Sequence, residues 1–470
     1  MGAMVITPPG VAKLPPANQS GAIALMGTRA VPIDASPGAP LISQQGRNAL
    51  ALLAEQESER LSWLLPVRHS RMVQNPFSFF RGAAAVMAWD LAQEPHSGLM
   101  VQLCGDAHLL NFGFYGSPER RLLFDINDFD ETYPGPFEWD VQRLAASCIL
   151  AARSLALSPS QQEKICRRTV RAYAKAMVQF AAMPFLDLWV AKLDLDRLLD
   201  ESENACLKNH LKGVIAQARQ RNSRQAVKKL CVSNGQGGFN FRHNPPLIWR
   251  HGVLQDKFIG NMDWETFSTI SLANYLANIK PEIGHLISQF RLADSAYKAV
   301  GVGSVGTRCS VNLFVDDHSD EVLVLQSKQA VPSVLSSYLN TTEPAHQGER
   351  VVNGQRMMQT TSDVFLAWFT NATGHHMYVR QFRDWKGSVD VDCLDADALS
   401  DYGRLCGWTL AKAHARSGDR RAIAARIENS KAFAKTVLDQ ALGHAELTEN
   451  DHTELKTAIK EGVIQASSIF

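Results

Sequence analysis

The chain has 470 residues, 45% of them apolar, and its 48 basic and 47 acidic residues leave a formal net charge of +1. This composition is typical of a globular protein with a sizeable core, and the balanced charge gives no global field that would select nucleic acid or an anionic membrane. Since no long apolar run and no basic-then-apolar leader occurs, neither a membrane span nor a secretory signal is expected. Scattered cysteines without a C-x-x-C motif favour reduced thiols and a cytoplasmic location.

The N-terminal part of the chain predicts a flexible arm followed by helices. Residues 1–42 are rich in proline and glycine and have few periodic apolar positions, which is typical of a mobile arm. The patterns at 47–65 and 83–93 predict amphipathic helices. The basic and aromatic connection at 68–81 is interpreted as a surface segment anchored by phenylalanines, with an anion-contacting loop as the alternative. Residues 43–230 are assigned to a helical lobe.

The segment 105–130 carries the densest polar pattern in the sequence. Asp106 and Asn111 lie five positions apart, the spacing of the phosphotransferase catalytic loop D-x-x-x-x-N. Asp106 is therefore the expected catalytic base and Asn111 an expected Mg²⁺ ligand, because Mg²⁺ prefers oxygen donors. His108 is expected to shape this catalytic loop by hydrogen bonding rather than to bind zinc. The competing interpretation is an acidic hairpin in which Asp and Asn only form turns.

A second carboxylate for the metal is expected on the strand and turn that follow. Asp125 and Asp128 are both candidates. We prefer Asp128 because Asp128-Phe129-Asp130 resembles the metal-binding D-F-G turn. A long helix is predicted to begin just before Asp140, which is well placed as an acid in its first turn.

The remainder of the chain is predicted to contain a connecting segment, a β-rich segment and a helical segment. Residues 231–289 begin with a segment rich in Gly, Asn and Pro and are assigned to a connection that contains helices. Residues 290–385 predict a β-rich nucleotide-binding lobe. Residues 386–470 predict helices that complete the helical lobe.

A glycine-rich motif stands near the start of the predicted β-rich lobe. The residues Gly301, Gly303 and Gly306 match G-x-G-x-x-G and include Ser304. The motif precedes a strand rather than a helix, which favours a kinase glycine loop over a dinucleotide fold. An ordinary glycine-rich hairpin is the alternative.

A lysine and an acid are predicted to complete the nucleotide site. Lys328 ends an apolar strand after the glycines, where a kinase carries the lysine that meets the nucleotide phosphates. Glu349, in the first turn of a polar helix, is the expected partner of Lys328, and Glu343 is the alternative. An exposed strand end and an ordinary first-turn acid are the competing interpretations.

Several motifs carry a family resemblance. GDAHLLNFG, LLFDINDFDET, PGPFEWDVQRLAAS, VGVGSVGTRC and HARSGD resemble the bacterial family labelled domain of unknown function 2252, over most of the chain after about residue 45. More distantly, the segment with Asp106, Asn111 and Asp128 resembles aminoglycoside and choline phosphotransferases. This resemblance implies an α+β, protein-kinase-like, two-lobed fold with a mainly helical large lobe and a small β-rich lobe. Since the glycines follow Asp106 by about 195 residues, the order would be circularly permuted.

These patterns predict a phosphotransferase that depends on ATP and Mg²⁺ and acts on a small molecule with a hydroxyl or amino group. Nucleotidyl transfer to a protein by the same site and a nucleotide-binding module without catalysis are the alternatives. The expected partners are the nucleotide and a small acceptor, and no nucleic acid is indicated.

Overall fold

Helices and strands occupy largely different parts of the chain, which makes the protein a mixed α+β structure. The computed structural model describes residues 46–194, 198–199, 204–235, 238–251, 259–299, 301–382 and 385–467. The arm predicted at 1–42 lies outside the described residues. None of the helices within these ranges is long and apolar enough to cross a membrane. All eight cysteines lie in the described ranges, and each is a free thiol.

Most of the described helices precede residue 231 or follow residue 395. They are α1 (Ala49–Glu57), α2 (Leu65–Met72), α3 (Pro76–Gly82), α4 (Ala84–Ala92), α5 (Phe137–Ser154), α6 (Pro159–Ala182), α7 (Phe185–Val190), α8 (Ala205–Gln220), α9 (Ser223–Leu230), α10 (Trp264–Leu276), α11 (Pro281–Ile287), α12 (Gln347–Met358), α13 (Ala396–Ser417), α14 (Arg420–Arg426) and α15 (Ser430–Lys460).

The strands form one large sheet and three small ones. They are β1 (Met100–Leu103), β2 (Phe112–Gly116), β3 (Leu122–Ile126), β4 (Tyr133–Pro136), β5 (Leu193–Asp194), β6 (Cys231–Ser233), β7 (Phe239–Phe241), β8 (Ile248–Arg250), β9 (Arg291–Lys298), β10 (Cys309–Val315), β11 (Val322–Gln329), β12 (Ala367–Thr370) and β13 (His376–Gln381). The large sheet is antiparallel, in the order β12-β13-β11-β10-β9-β8; the small sheets are β1-β4, β2-β3-β5 and β6-β7.

The C-terminal helices pack against the helices from the first half of the chain. Helix α13 crosses α6 closely, because a Cβ on Gly403 would lie 2.2 Å from Thr169 Oγ1 and a Cβ on Gly407 would lie 2.4 Å from Thr169 O. Only glycine allows this approach at these two positions. Helices α5, α6, α13 and α15 all contribute to one large hydrophobic core. Residues almost 300 apart in sequence therefore form a single helical region.

The large sheet has two covered faces. One face packs under α10 and α11, with Tyr275, Leu325 and Phe369 in its core. On the other face, Lys328 of β11 is the cross-strand neighbour of Tyr378 on β13, and Gln326 is the neighbour of Arg380. Because side chains alternate along a strand, these four polar residues share one side of the sheet. That side faces the helical region.

Two local predictions for the N-terminal helices are wrong. The helix predicted at 47–65 stops at Glu57, because Arg60 Nη1 donates to Val305 O at 2.7 Å and the backbone N of Leu61 donates to Gly306 O at 2.8 Å. The connection predicted at 68–81 is largely helical. Asn75 caps α3 by accepting a hydrogen bond from the backbone N of Ser78 at 2.7 Å, and a proline follows at the first helical position.

Candidate active site

A large polar cavity lies between the helical region and the large sheet. Its volume is about 1180 Å³, somewhat above the usual size of a small-molecule site. The loop after β1, the hairpin β2-β3, the glycine motif, β11 and β13 all contribute side chains to its wall. Most of the residues that the sequence singles out lie in these segments.

The loop that carries Asp106 is held by a buried acid. Asp140, in the first turn of α5, accepts hydrogen bonds from the backbone N of Cys104 at 2.8 Å and from that of Gly105 at 3.0 Å. His414 Nε2 of α13 lies 3.2 Å from the same carboxylate. Gly105 has φ +80, and a Cβ there would lie 2.2 Å from Glu131 O. The loop is therefore fixed from both sides.

Asp106 is ionised and firmly oriented. Arg143 Nε donates to Asp106 Oδ1 at 2.7 Å. Burial by itself would raise the pKa of Asp106, but the charge of Arg143 holds that pKa below its usual value. The side chain lines the cavity and is 18% exposed, so a hydroxyl of a bound molecule can reach it.

His108 is a neutral side chain beside this carboxylate. Its Nε2 lies 3.6 Å from Asp106 Oδ2. Burial lowers the pKa of His108 to about 3, so the ring is uncharged near neutral pH. Its Nδ1 is buried and has no hydrogen-bond partner among the described residues, although His108 lines the cavity.

Asn111 and Asp128 present oxygen atoms to the cavity. Asn111 Nδ2 donates to Asp106 O at 2.6 Å, and within the described segments no donor reaches its Oδ1. The Asp128 carboxylate is 30% exposed, and both residues line the cavity wall. This donor set suits a hard cation such as Mg²⁺, which takes oxygen ligands. The described part of the chain has no group of three His, Cys, Asp or Glu side chains that could hold a metal, so phosphate oxygens and water would have to complete such a site.

The other predicted carboxylate, Asp125, is directed elsewhere. It lies on β3, is only 3% exposed, and forms an ion pair with Lys412 of α13. Its Oδ1 also accepts from the backbone N of Ile126 at 3.0 Å. Asp125 is not among the residues that line the cavity. The geometry therefore favours Asp128 of the two candidates.

Lys328 lies in an ionic cluster on the sheet side. Its Nζ is 2.5 Å from Asp130 Oδ2 and 3.7 Å from Asp128 Oδ1. Tyr378 donates its hydroxyl proton to Asp130 Oδ1 at 2.5 Å. Burial would lower the pKa of Lys328, but Asp128 and Asp130 raise it above its usual value. Lys328 is therefore charged although it is only 1% exposed.

The predicted partner of Lys328 is corrected by this geometry. Neither Glu349 nor the alternative Glu343 forms an ion pair with it among the described residues; Asp130 takes that place. Helix α12 reaches the same turn through the residue after Glu349, because Arg350 Nη2 donates to Asp130 O at 2.9 Å. Glu349 begins the helix beside His346, to which its backbone N donates at 3.2 Å.

The glycine motif folds back over the Asp128 turn. Its first part is a short 3₁₀ turn at Val302–Ser304, and Ser304 Oγ donates to Asp130 Oδ2 at 3.2 Å. Gly301, Gly303 and Ser304 line the cavity. Gly306 does not: it has φ +95 and packs against the side chain of Arg60. The motif thus places three of its four predicted residues at the site.

Sequence reasoning missed several cations of the cavity wall, among them Arg380 on β13 and Lys386 beyond that strand. Arg71 of α2 and Arg81 of α3 also line the cavity, and both belong to the segment 68–81, for which an anion-contacting loop was the alternative. Burial lowers the pKa of Lys386 to about 7, and Arg380 adds to this effect. The alternation of β13 was a usable signal, since Met377 and Val379 form its apolar side and Tyr378 and Arg380 lie on the other side.

The cavity wall is predominantly basic. Among the residues that the structure describes, the wall has eight basic residues, Arg71, Arg81, Arg120, Arg224, Lys298, Lys328, Arg380 and Lys386, and five acidic residues, Asp106, Asp128, Asp320, Glu321 and Asp363. A concave wall with an excess of positive charge attracts anions. The site is therefore suited to an anionic ligand, with two carboxylates kept at positions where a cation or an acceptor can bind.

Comparison with known proteins identifies the family of the chain. No curated protein and no solved structure matches it. The resemblance of the motifs to the bacterial family is confirmed. The family described as "Uncharacterized protein conserved in bacteria (DUF2252)" matches residues 60–458, and the chain belongs to this family.

Proposed function

We propose that the protein is a phosphotransferase that uses ATP and Mg²⁺ and acts on a small molecule with a hydroxyl or amino group. One observation carries this proposal. Asp106, Asn111 and Asp128 line the same cavity as Lys328 and Ser304, and the latter two contact Asp130, although about 200 residues separate the two groups in sequence. Phosphoryl transfer requires this combination of a carboxylate, oxygen ligands for Mg²⁺ and cations for phosphate.

Asp106 would orient the acceptor and take its proton. Its ion pair with Arg143 fixes the carboxylate at the cavity wall and keeps it ionised. A low pKa makes Asp106 a weak base. A loose phosphoryl-transfer transition state depends more on positioning than on early proton removal, so an oriented carboxylate suffices.

Asn111 Oδ1 and Asp128 would hold Mg²⁺, which would supply positive charge to neutralise the phosphates. Lys328 is held by Asp130 and Asp128 at the site, and Arg380 and Lys386 add charge around Asp128. The glycine motif would cover the phosphates, since residues without side chains allow close backbone approach.

A protein-kinase-like arrangement with a circularly permuted order is part of this proposal. One supporting observation is that the large sheet faces the Asp106 loop across the cavity, although the sheet follows this loop in sequence. It is also supported by α13, which follows the sheet but packs beside the loop. Tyr402 of α13 donates to Leu109 O at 2.9 Å and to Phe112 O at 3.1 Å.

The direct test is transfer of label from ATP to candidate acceptors. The protein is incubated with Mg²⁺, small alcohols or amines, and ATP labelled in either the γ- or the α-phosphate. Transfer of γ-label that Asp128→Ala abolishes is expected. Transfer of α-label to a protein would instead indicate nucleotidyl transfer. If Mg–ATP produces no thermal shift in the wild type, the proposal is wrong, because a ligand of the folded state raises apparent stability.

The pH dependence of nucleotide affinity supplies a further prediction. The pKa of Lys386 is about 7 under the combined influence of burial, Arg380, Asp128, Lys328 and Asp130. The charged fraction of its ammonium therefore falls as pH rises through this value. We expect Mg–ATP affinity to fall by up to about tenfold between about pH 6 and about pH 8.

Calorimetric titration with a non-hydrolysable ATP analogue measures this effect. Lys386→Arg is the reference, because arginine stays charged throughout and the titration of the nucleotide itself is common to both proteins. The wild type should show the steeper pH dependence. Identical profiles would show that Lys386 does not contact the phosphates.

A further inference from the structure

Arg81 is an unpaired cation on the wall of the cavity. It ends α3, and its guanidinium makes no hydrogen bond and no ion pair within the described part of the chain. Its Nε is shielded from solvent, and burial lowers the pKa of the side chain. Because a buried donor without an acceptor costs folding free energy, the unpaired Nε is unfavourable in the free protein. Such a cost is typical of a group that is completed by a ligand.

The neighbouring Arg68 provides a contrast in the same region. Arg68 is fully buried, and its Nε donates to Glu57 Oε1 at 2.7 Å. Its two other nitrogens donate to the carbonyls of Val302, Gly303 and Gly82. Arg68 is therefore a structural residue that connects the glycine motif to the helices by hydrogen bonds, whereas the Arg81 side chain makes no such connection among the described residues.

The backbone around Arg81 is clamped, so its position is determined. Arg143 Nη2 donates to Phe80 O at 2.9 Å, and Arg68 donates to Gly82 O. The carbonyl of Arg81 itself would lie 3.4 Å from a Cβ on Gly303. The backbone of Arg81 is thus held rigidly between the glycine motif and the Asp106 loop.

The contacts around Arg81 place it beside Asp106. Arg143 Nη2 donates to the carbonyl of Phe80, the residue before Arg81, and Arg143 Nε donates to Asp106 Oδ1 at 2.7 Å. Arg81 and Asp106 also line the same cavity wall. Arg81 therefore lies beside the residue proposed to receive the acceptor.

His108 adds a second unpaired polar group at the same place. Its ring is only 4% exposed and lines the cavity. Its Nδ1 has no partner among the described residues. Since Nε2, 3.6 Å from Asp106 Oδ2, makes no hydrogen bond to that carboxylate, the neutral ring can carry its proton on Nδ1 and donate from there to an anionic oxygen.

We infer that Arg81 and His108 form an anion subsite next to Asp106, and that the acceptor carries a phosphate or carboxylate group in addition to its reactive hydroxyl or amine. This inference rests on the proposed function. The anionic group would complete the donors of Arg81 through charge-assisted hydrogen bonds, and so place the reactive group at Asp106.

Calorimetry with simple anions tests the subsite. Inorganic phosphate and malonate, which represent the two possible groups, are titrated into the protein alone and into its complex with Mg²⁺ and a non-hydrolysable ATP analogue. The wild-type complex should bind at least one of them, and Arg81→Gln should weaken that binding by at least about tenfold. Nucleotide affinity should change by less than about threefold in this variant. Lys386→Gln, the matched control, should show the opposite pattern.

Each contrary result has its own meaning. If the wild type binds the nucleotide but its complex binds neither anion, the subsite is wrong and the proposed function stands. If Arg81→Gln weakens nucleotide binding as much as Lys386→Gln does, Arg81 is a nucleotide ligand and the inference fails. Anion binding that depends on Arg81 in a protein that binds no nucleotide would support the subsite and overturn the proposed function.

Thermal unfolding separates a ligand-binding role of Arg81 from a structural one. Arg81→Met should keep or raise the melting temperature of the free protein, because an unpaired buried charge is removed. Arg68→Met should lower it, because Glu57 and three carbonyls lose their donor. A loss in Arg81→Met equal to that in Arg68→Met would overturn the inference.

Discussion

Asp106→Asn is expected to lower the rate of phosphoryl transfer by about 10²- to 10⁴-fold, the usual contribution of a positioned proton acceptor. The amide keeps the shape of the carboxylate but cannot take a proton from the acceptor. Because Asn111 and Asp128 are unchanged, the affinity for Mg–ATP should stay nearly constant. Single-turnover rates and calorimetric nucleotide titrations measure the two effects separately.

The control for this substitution is a remote Asp→Asn change. Asp397 pairs with Lys164 on the surface, where the two side chains are 68% and 65% exposed, so Asp397→Asn should leave both rate and affinity unchanged. Since the pKa of Asp106 lies below its usual value, this group should not reduce the rate as pH falls from about 7 to about 5. Full transfer activity in Asp106→Asn would remove the residue from the mechanism.

Lys412→Met is expected to destabilise the protein by about 3–5 kcal/mol, as is typical when one member of a buried ion pair is removed. The substitution leaves the Asp125 carboxylate buried, with the backbone N of Ile126 as its remaining hydrogen-bond donor among the described residues. Urea unfolding of wild type and variant measures the difference. Loss of the surface pair between Lys164 and Asp397 should cost far less.

A double variant tests whether the cost comes from the unpaired charge. Lys412→Met combined with Asp125→Leu removes both charges and should recover a large part of the stability, giving a strong coupling in a double-mutant cycle.

The same double variant tests whether Asp125 or Asp128 holds the metal. If Asp128 holds Mg²⁺, nucleotide binding in the double variant keeps its Mg²⁺ dependence, whereas Asp128→Asn loses it. The reverse result would assign the metal to Asp125.

Local sequence was sufficient where a motif contains its own partners. The spacing of Asp106 and Asn111 predicts that both belong to one polar loop, and in the structure Asn111 Nδ2 donates to Asp106 O at 2.6 Å. Asp140 was expected in the first turn of a helix and is found there. The strand before Lys328 and the helices within 386–470 were also predicted, because apolar periodicity is a local signal.

Partners that are distant in sequence could not be predicted in the same way. From the sequence, Glu349 was the expected partner of Lys328 because it lies in a helix at a suitable distance along the chain, but the structure pairs the Lys328 ammonium with Asp130. The sequence alone does not distinguish between several acidic residues as partners. Which of them lies within hydrogen-bonding distance depends on how the sheet packs over the turn that follows Asp128.

The two arginines Arg68 and Arg81 illustrate the same limit. Both lie in one short basic segment, and nothing in their local pattern distinguishes them. Tertiary packing surrounds Arg68 with four acceptors and leaves Arg81 at the cavity wall with none among the described residues. The sequence by itself determined which charged and polar side chains are available and where the helices, strands and turns begin. Only the tertiary structure decided which charges are neutralised by partners and which remain for a ligand, because that balance depends on contacts between segments far apart in the chain.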